Sequence, residues 1–139
     1  MTARLATIVG ATLMAAAPLL MAQRKDPSIS SGWVRLPAAG ATSTEAYVSV
    51  ENPTQYDFYL QKASADAAGS VELREPGRGT ASTFVTVPAY GSLEMDPKGV
   101  HLLLKDLKKP LVEGGKVQLT LVTDGGLTLN VDATVKKTP

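Results

Sequence analysis

Between residues 29 and 135, apolar and polar residues alternate over short runs, and clusters of Gly, Pro, Asn or Asp part each run from the next. A period of two puts the apolar residues of a run on one side of an extended chain, which is the pattern of a half-buried strand and not of a helix. Lys116–Thr123 is the cleanest case: Val117, Leu119 and Leu121 point one way, Gln118 and Thr120 the other. Asp124-Gly125-Gly126 follows, a tight turn, because glycine reaches positive φ without steric cost. Residues 116–135 therefore read as a hairpin. The same reasoning predicts strands over residues 29–35, 45–52, 57–63, 70–75, 83–87, 92–95, 100–105 and 127–135. Only residues 64–68, Ser-Ala-Asp-Ala-Ala, have helical character, and for one turn at most. About nine short strands in one domain imply an all-β Greek-key sandwich or barrel.

The first 22 residues have a different character. Arg4 precedes an almost wholly apolar or small stretch, residues 5–22, and Gln23-Arg24-Lys25-Asp26 then turns polar. A positive end, an apolar middle and small residues before a polar boundary are the order of a secretory signal peptide. Cleavage is expected after Ala22, with Ala17 as the second site. The alternative is a retained membrane anchor, although the apolar run is at the lower limit for spanning and Gly10 and Pro18 interrupt it. The chain thus divides into a signal peptide (1–22), a polar lead-in (23–28), a β domain (29–135) and a short tail (136–139). It is expected to be periplasmic or otherwise exported, with membrane contact only if residues 1–22 stay attached.

Composition narrows the chemistry. The sequence has no Cys, which excludes disulfide scaffolds, thiolate metal sites, thiol redox chemistry and a lipid anchor on an N-terminal Cys. Of 14 Lys and Arg, only Arg4 leaves with the signal peptide, so 13 basic residues face 13 acidic ones. A neutral domain lacks the basic footprint of a nucleic-acid binder. There is no Gly-x-Ser-x-Gly elbow, and Gly77-Arg78-Gly79 lacks the strand, helix and Lys-Ser/Thr of a phosphate loop. We read no enzyme here. The single His, His101, follows a turn at residues 96–99 that joins the runs 92–95 and 100–105. If those runs form a hairpin, Met95 faces Val100 and Glu94 faces His101. His101 would then be a rim residue paired with Glu94 or with water.

Several segments together resemble the periplasmic copper chaperones of the PCu(A)C family. Ser31-Gly32-Trp33-Val34-Arg35 and, after a Pro/Gly loop, Ala46-Tyr47-Val48-Ser49-Val50-Glu51-Asn52 are similar to that family's opening. Val71-Glu72-Leu73, Val87-Pro88-Ala89-Tyr90-Gly91, Pro97-Lys98-Gly99-Val100-His101 and the stretch from Leu104 to Gly114 follow in the family's order. The resemblance implies a cupredoxin-like Greek-key β-sandwich of about seven to nine strands. It also implies an ancestral role in delivering Cu(I) to cytochrome oxidase, with two His and two Met as ligands. Soft thioethers suit Cu(I), and imidazole adds a stronger nitrogen donor.

Carried over residue by residue, one ligand in four remains. The second His is His101. Arg74 stands where the first His would be and Leu103 where the second Met would be, and the loop expected to carry the first Met has none. Met95, the one Met after residue 22, falls at an apolar strand position and is not a ligand. Copper binding is therefore expected to be weakened or lost, and Cu(I) is the one metal the resemblance brings. Arg74 reads from its neighbours as an ion-pair partner of Glu72, Glu75 or Glu94. Together with Lys105, Lys108 and Lys109 it is a candidate docking patch for an acidic partner in the envelope, a cytochrome oxidase or another membrane complex. The alternative function is a copper-independent interaction module or accessory subunit of such a complex. Trp33 and Tyr47 are read as packing residues.

Overall fold

A computed structural model describes Gly10 and residues 26–137. Apart from Gly10, the predicted signal segment lies outside the described residues. Nine strands follow: β1 (Ser28–Arg35), β2 (Thr44–Asn52), β3 (Phe58–Ala65), β4 (Ala68–Arg74), β5 (Val85–Val87), β6 (Gly91–Glu94), β7 (His101–Leu107), β8 (Lys116–Thr123) and β9 (Thr128–Lys136). Each predicted run becomes a strand with ends within two residues of those expected, because alternation and turn chemistry are local signals. The expected all-β sandwich is what forms.

The strands close on themselves in the order β1-β9-β8-β3-β4-β7-β2, and β2 returns to β1 through Trp33 opposite Tyr47. All pairings are antiparallel except β1 with β9, which are parallel. Short β5 and β6 extend the edges of β3 and β2. Closure leaves few bare edges to pair with another chain. The interior is filled by one alternate set of residues, among them Val34, Ala46, Leu60, Leu102, Leu104 and Leu119, each with no exposed surface. Among the described residues, every strand pairing and this core lie within residues 28–136.

One expectation fails. Residues 92–95 and 100–105 do not form a hairpin, and Glu94 does not face His101. Glu94 lies opposite Ser49, and Leu102 opposite Ala46, so β6 and β7 follow one another along the same edge of β2. The 96–99 turn does form, closed by Gly99 N to Asp96 O at 3.1 Å. It is a bulge-like excursion in a chain that keeps its direction, pinned by Met95 N to Val48 O at 3.0 Å and by burial of Met95 in the core. Residues 64–68, read as one helical turn at most, form no helix. β3 runs through Ala65, and Asp66-Ala67 link it directly to β4. Asp66 exchanges hydrogen bonds with Gln118, through N to O at 3.2 Å and from Gln118 N to Oδ1 at 3.1 Å. Ladder bonds to β8 satisfy the backbone that a lone helical turn would leave open.

Candidate functional site

β4, β7, β2 and β1 lie side by side, with Leu73, Leu102, Ala46 and Val34 facing the core. The intervening residues face outward and align in two rows across the sheet. One row is Arg74, His101, Tyr47 and Trp33; the other is Glu72, Leu103, Glu45 and Arg35. Arg74 is directly opposite His101, and Glu72 opposite Leu103.

The first half of this face is an ion cluster. Arg74 donates through Nε and Nη2 to Glu72 Oε2 at 3.0 and 2.6 Å, and through Nη1 to Gly79 O at 3.2 Å. Lys105 Nζ donates to Glu72 Oε1 at 3.2 Å. Glu72 thus accepts from both cations, and its carboxyl is held below the ordinary range by the Arg74 hydrogen bonds first and the Lys105 bond second. Of the three acids expected as partners for Arg74, the structure selects Glu72. The acid two residues away on the same strand shares the arginine's outward face.

The second half is built around Tyr47. Although it points away from the core, it is 1% exposed, covered by Trp33 at 4.6 Å between ring centroids, His101 at 6.3 Å and the Arg35 guanidinium 5.8 Å above its ring. Arg35 Nη2 donates to its hydroxyl at 3.1 Å, and the hydroxyl donates to Glu45 Oε2. Burial raises the Tyr47 pKa above its usual value, and donation to Glu45 raises it further, against an opposing contribution from Arg35. On the other side, Glu45 Oε1 is 3.7 Å from His101 Nε2. His101 Nδ1 lies 3.0 Å from Gly99 O. A carbonyl can only accept, so Nδ1 carries a proton and Nε2 is the ring nitrogen turned toward Glu45. A metal ion on this face would meet that nitrogen.

Among the described residues of this face, no thioether and no second imidazole stands beside His101. His101 Nε2 and the Glu45 carboxylate lie beside Leu103, and the Glu72 carboxylate opposite Leu103 is taken up by Arg74 and Lys105. Met95 is buried in the core on the other side of the sheet. No group of three or more His, Cys, Asp or Glu that could hold a metal occurs among the described residues. The predicted basic patch is also split: Arg74 and Lys105 converge on Glu72, whereas Lys108 and Lys109 follow the end of β7. There they line a cleft of about 380 Å³ with residues 37–41, Pro110 and Leu111. Glu45, and Arg35 as its neighbour, were missed by the sequence reading. Their signal was the spacing Glu45-x-Tyr47, which puts both on one face of β2, but their partners depend on the β1–β2–β7 register.

The closed all-β architecture is the fold of PCuAC domains. The fold matches the apo PCuAC domain from PmoF1 with TM-score 0.74 and 22% identity, covering 83% of this chain and 96% of that one. The copper-bound PCuAC domain from PmoF2 matches with TM-score 0.72 and 24% identity, over 83% and 95%. Cu(I)-DR1885 from Deinococcus radiodurans matches with TM-score 0.69 and 32% identity, over 88% and 86%. In sequence, the family described as "Putative lipoprotein LpqE-like" matches residues 28–135. "Putative lipoprotein Lxx21020" from Leifsonia xyli subsp. xyli (strain CTCB07) is 34% identical over 115 residues, 78% of this chain and 68% of that protein. The chain belongs to the LpqE-like family.

Proposed function

We propose that this is an exported member of the copper-chaperone fold whose outward face has exchanged most of a Cu(I) chelate for a charge network. The isolated domain then binds Cu(I) weakly or not at all, and His101 takes part in copper handling only where a partner supplies the remaining ligands. The observation that carries this reading is Arg74 opposite His101 and held by Glu72: a fixed cation occupies the place beside the one imidazole. Export is supported by the leader-like residues 1–22 and by the lipoprotein names of the relatives. The ancestral task, delivery to cytochrome oxidase, makes that enzyme or another envelope complex the partner class.

The test is a competition titration of residues 26–137 with Cu(I) against a chromophoric chelator under reducing conditions, with His101→Ala beside it. The expected result is no competition by either protein. Stoichiometric binding that His101→Ala abolishes would overturn the proposal and mean that a full site stands around His101. A second reading, a copper-independent interaction module, is favoured by the 37–41/107–111 cleft, where Lys108 and Lys109 border an apolar lining. Arg74 and Lys105 are paired with Glu72 and stand apart from this cleft. In this reading Lys108→Glu/Lys109→Glu would abolish capture of the envelope partner while His101→Ala would not.

A further inference from the structure

The strand register gathers three loops, residues 53–57, 88–90 and 124–127, at the end of the molecule where β1 begins beside Glu51. They are tied together by Tyr90 N to Thr54 O at 2.9 Å, Ala89 N to Asp57 Oδ1 at 2.8 Å and Tyr59 N to Asp124 Oδ1 at 3.1 Å. Four of the five large apolar side chains that are exposed among the described residues lie on or beside these loops: Tyr56 (69%), Phe84 (52%), Tyr90 (75%) and Leu127 (41%).

Tyr90 is the telling residue. Its φ is 54°, a left-handed conformation that a bulky side chain adopts only under strain and that glycine would adopt freely. The ring is three-quarters exposed, so packing does not offset the strain. Strain retained at an exposed aromatic points to a use for the ring outside the fold.

We infer that this end is a membrane-surface contact, with the aromatic rings seated among uncharged lipid headgroups. Tyr is suited to that layer because it joins an apolar ring to a hydroxyl that can meet water or a headgroup. The Tyr56 and Tyr90 hydroxyls have no hydrogen-bond partner among the described residues. The chain outside the strands also leads here: only five residues separate Ser28 from Ala22, the end of the apolar run. The six steps from Ala22 to Ser28 reach about 20 Å when extended, so retention of residues 1–22 as an anchor would bring this end to the bilayer first. Charge selects the lipid. The three loops hold Asp57 and Asp124 and no Lys or Arg, so an anionic surface would repel them.

The test is co-sedimentation of residues 26–137 with vesicles of phosphatidylcholine, alone or mixed with phosphatidylglycerol. We expect binding to the uncharged vesicles that raising salt does not weaken, and less binding as the anionic lipid increases. Tyr90→Gly should lower the partition coefficient about tenfold while leaving Tm unchanged or higher, because glycine relieves the backbone. That separates lost contact from lost fold. Phe84→Ser should weaken binding in the same direction. No binding at millimolar lipid, equal binding by the variants, or tighter salt-sensitive binding to anionic vesicles would each overturn the inference. So would a concentration-dependent dimer that Tyr90→Gly dissociates, which would make a second copy the occupant.

Discussion

If the exchanged ligands are what limit copper binding, restoring two of them should create a site. The variant is Arg74→His/Leu103→Met. His101 already faces position 74 across the β4–β7 ladder, and position 103 lies two residues along on the same outward face, so the three side chains would converge without moving the backbone. Leu to Met conserves volume and is well tolerated. Removing Arg74 also removes a cation: two unit charges about 5 Å apart repel by roughly 3 kcal/mol at an effective dielectric near 20. That is about two orders of magnitude in affinity, and an upper figure for the charge alone, since Glu72 offsets part of it. The added imidazole and thioether contribute beyond it. In the Cu(I) competition assay the double variant should bind one equivalent at least about a hundredfold more tightly than the wild type. Arg74→His alone should fall between them, and His101→Ala in the double background should cancel the gain. A folded double variant, with wild-type Tm, that competes no better than the parent would refute the reasoning.

Three further outcomes follow from the same geometry. The folded-state Glu72 carboxyl titrates below its ordinary value of about 4.5. Its contribution to stability is therefore present at neutral pH and lost as pH falls through the folded value. The Tm difference between wild type and Glu72→Gln should accordingly be larger at pH 7 than at pH 3. Tyr47 titrates above its ordinary value of 10.0, so the stability linked to its neutral form is complete below that pH and lost as pH rises beyond it. Alkaline melting curves should show Tyr47→Phe losing less stability with rising pH than the wild type. Leu102→Ala, in the core behind His101, should cost about 2–5 kcal/mol in chemical denaturation, and a smaller loss would mean that the ring collapses around the cavity.

What could be read beforehand divides along a physical line. The nine strands were legible because alternation and turn residues act over a few positions, as in Lys116–Thr123. The pairing of β6 and β7 with β2 was not, because a turn such as Asp96–Gly99 is compatible with reversing the chain or with continuing it. Only the partner strand and the burial of Met95 decide. Arg74 and Leu103 were singled out through resemblance, and the structure adds that Arg74 stands opposite His101. The network of Arg35, Tyr47, Glu45 and His101 was hidden, since its members come from three strands whose relative register no local pattern specifies. Tyr47 was read as a packing residue, and it is buried, but on the outer face and through its neighbours' side chains.

The parallel seam between β1 and β9 has a mechanical consequence. Because Trp33, Val34 and Arg35 run alongside Thr134, Val135 and Lys136 in the same direction, β1 begins at one pole of the domain and β9 ends at the other. Tension applied between the two termini pulls these neighbouring strands past each other along their length. Their hydrogen bonds then bear the load together and cannot be peeled apart one at a time. A domain held at its beginning and drawn on at its end would resist extension like a lap joint.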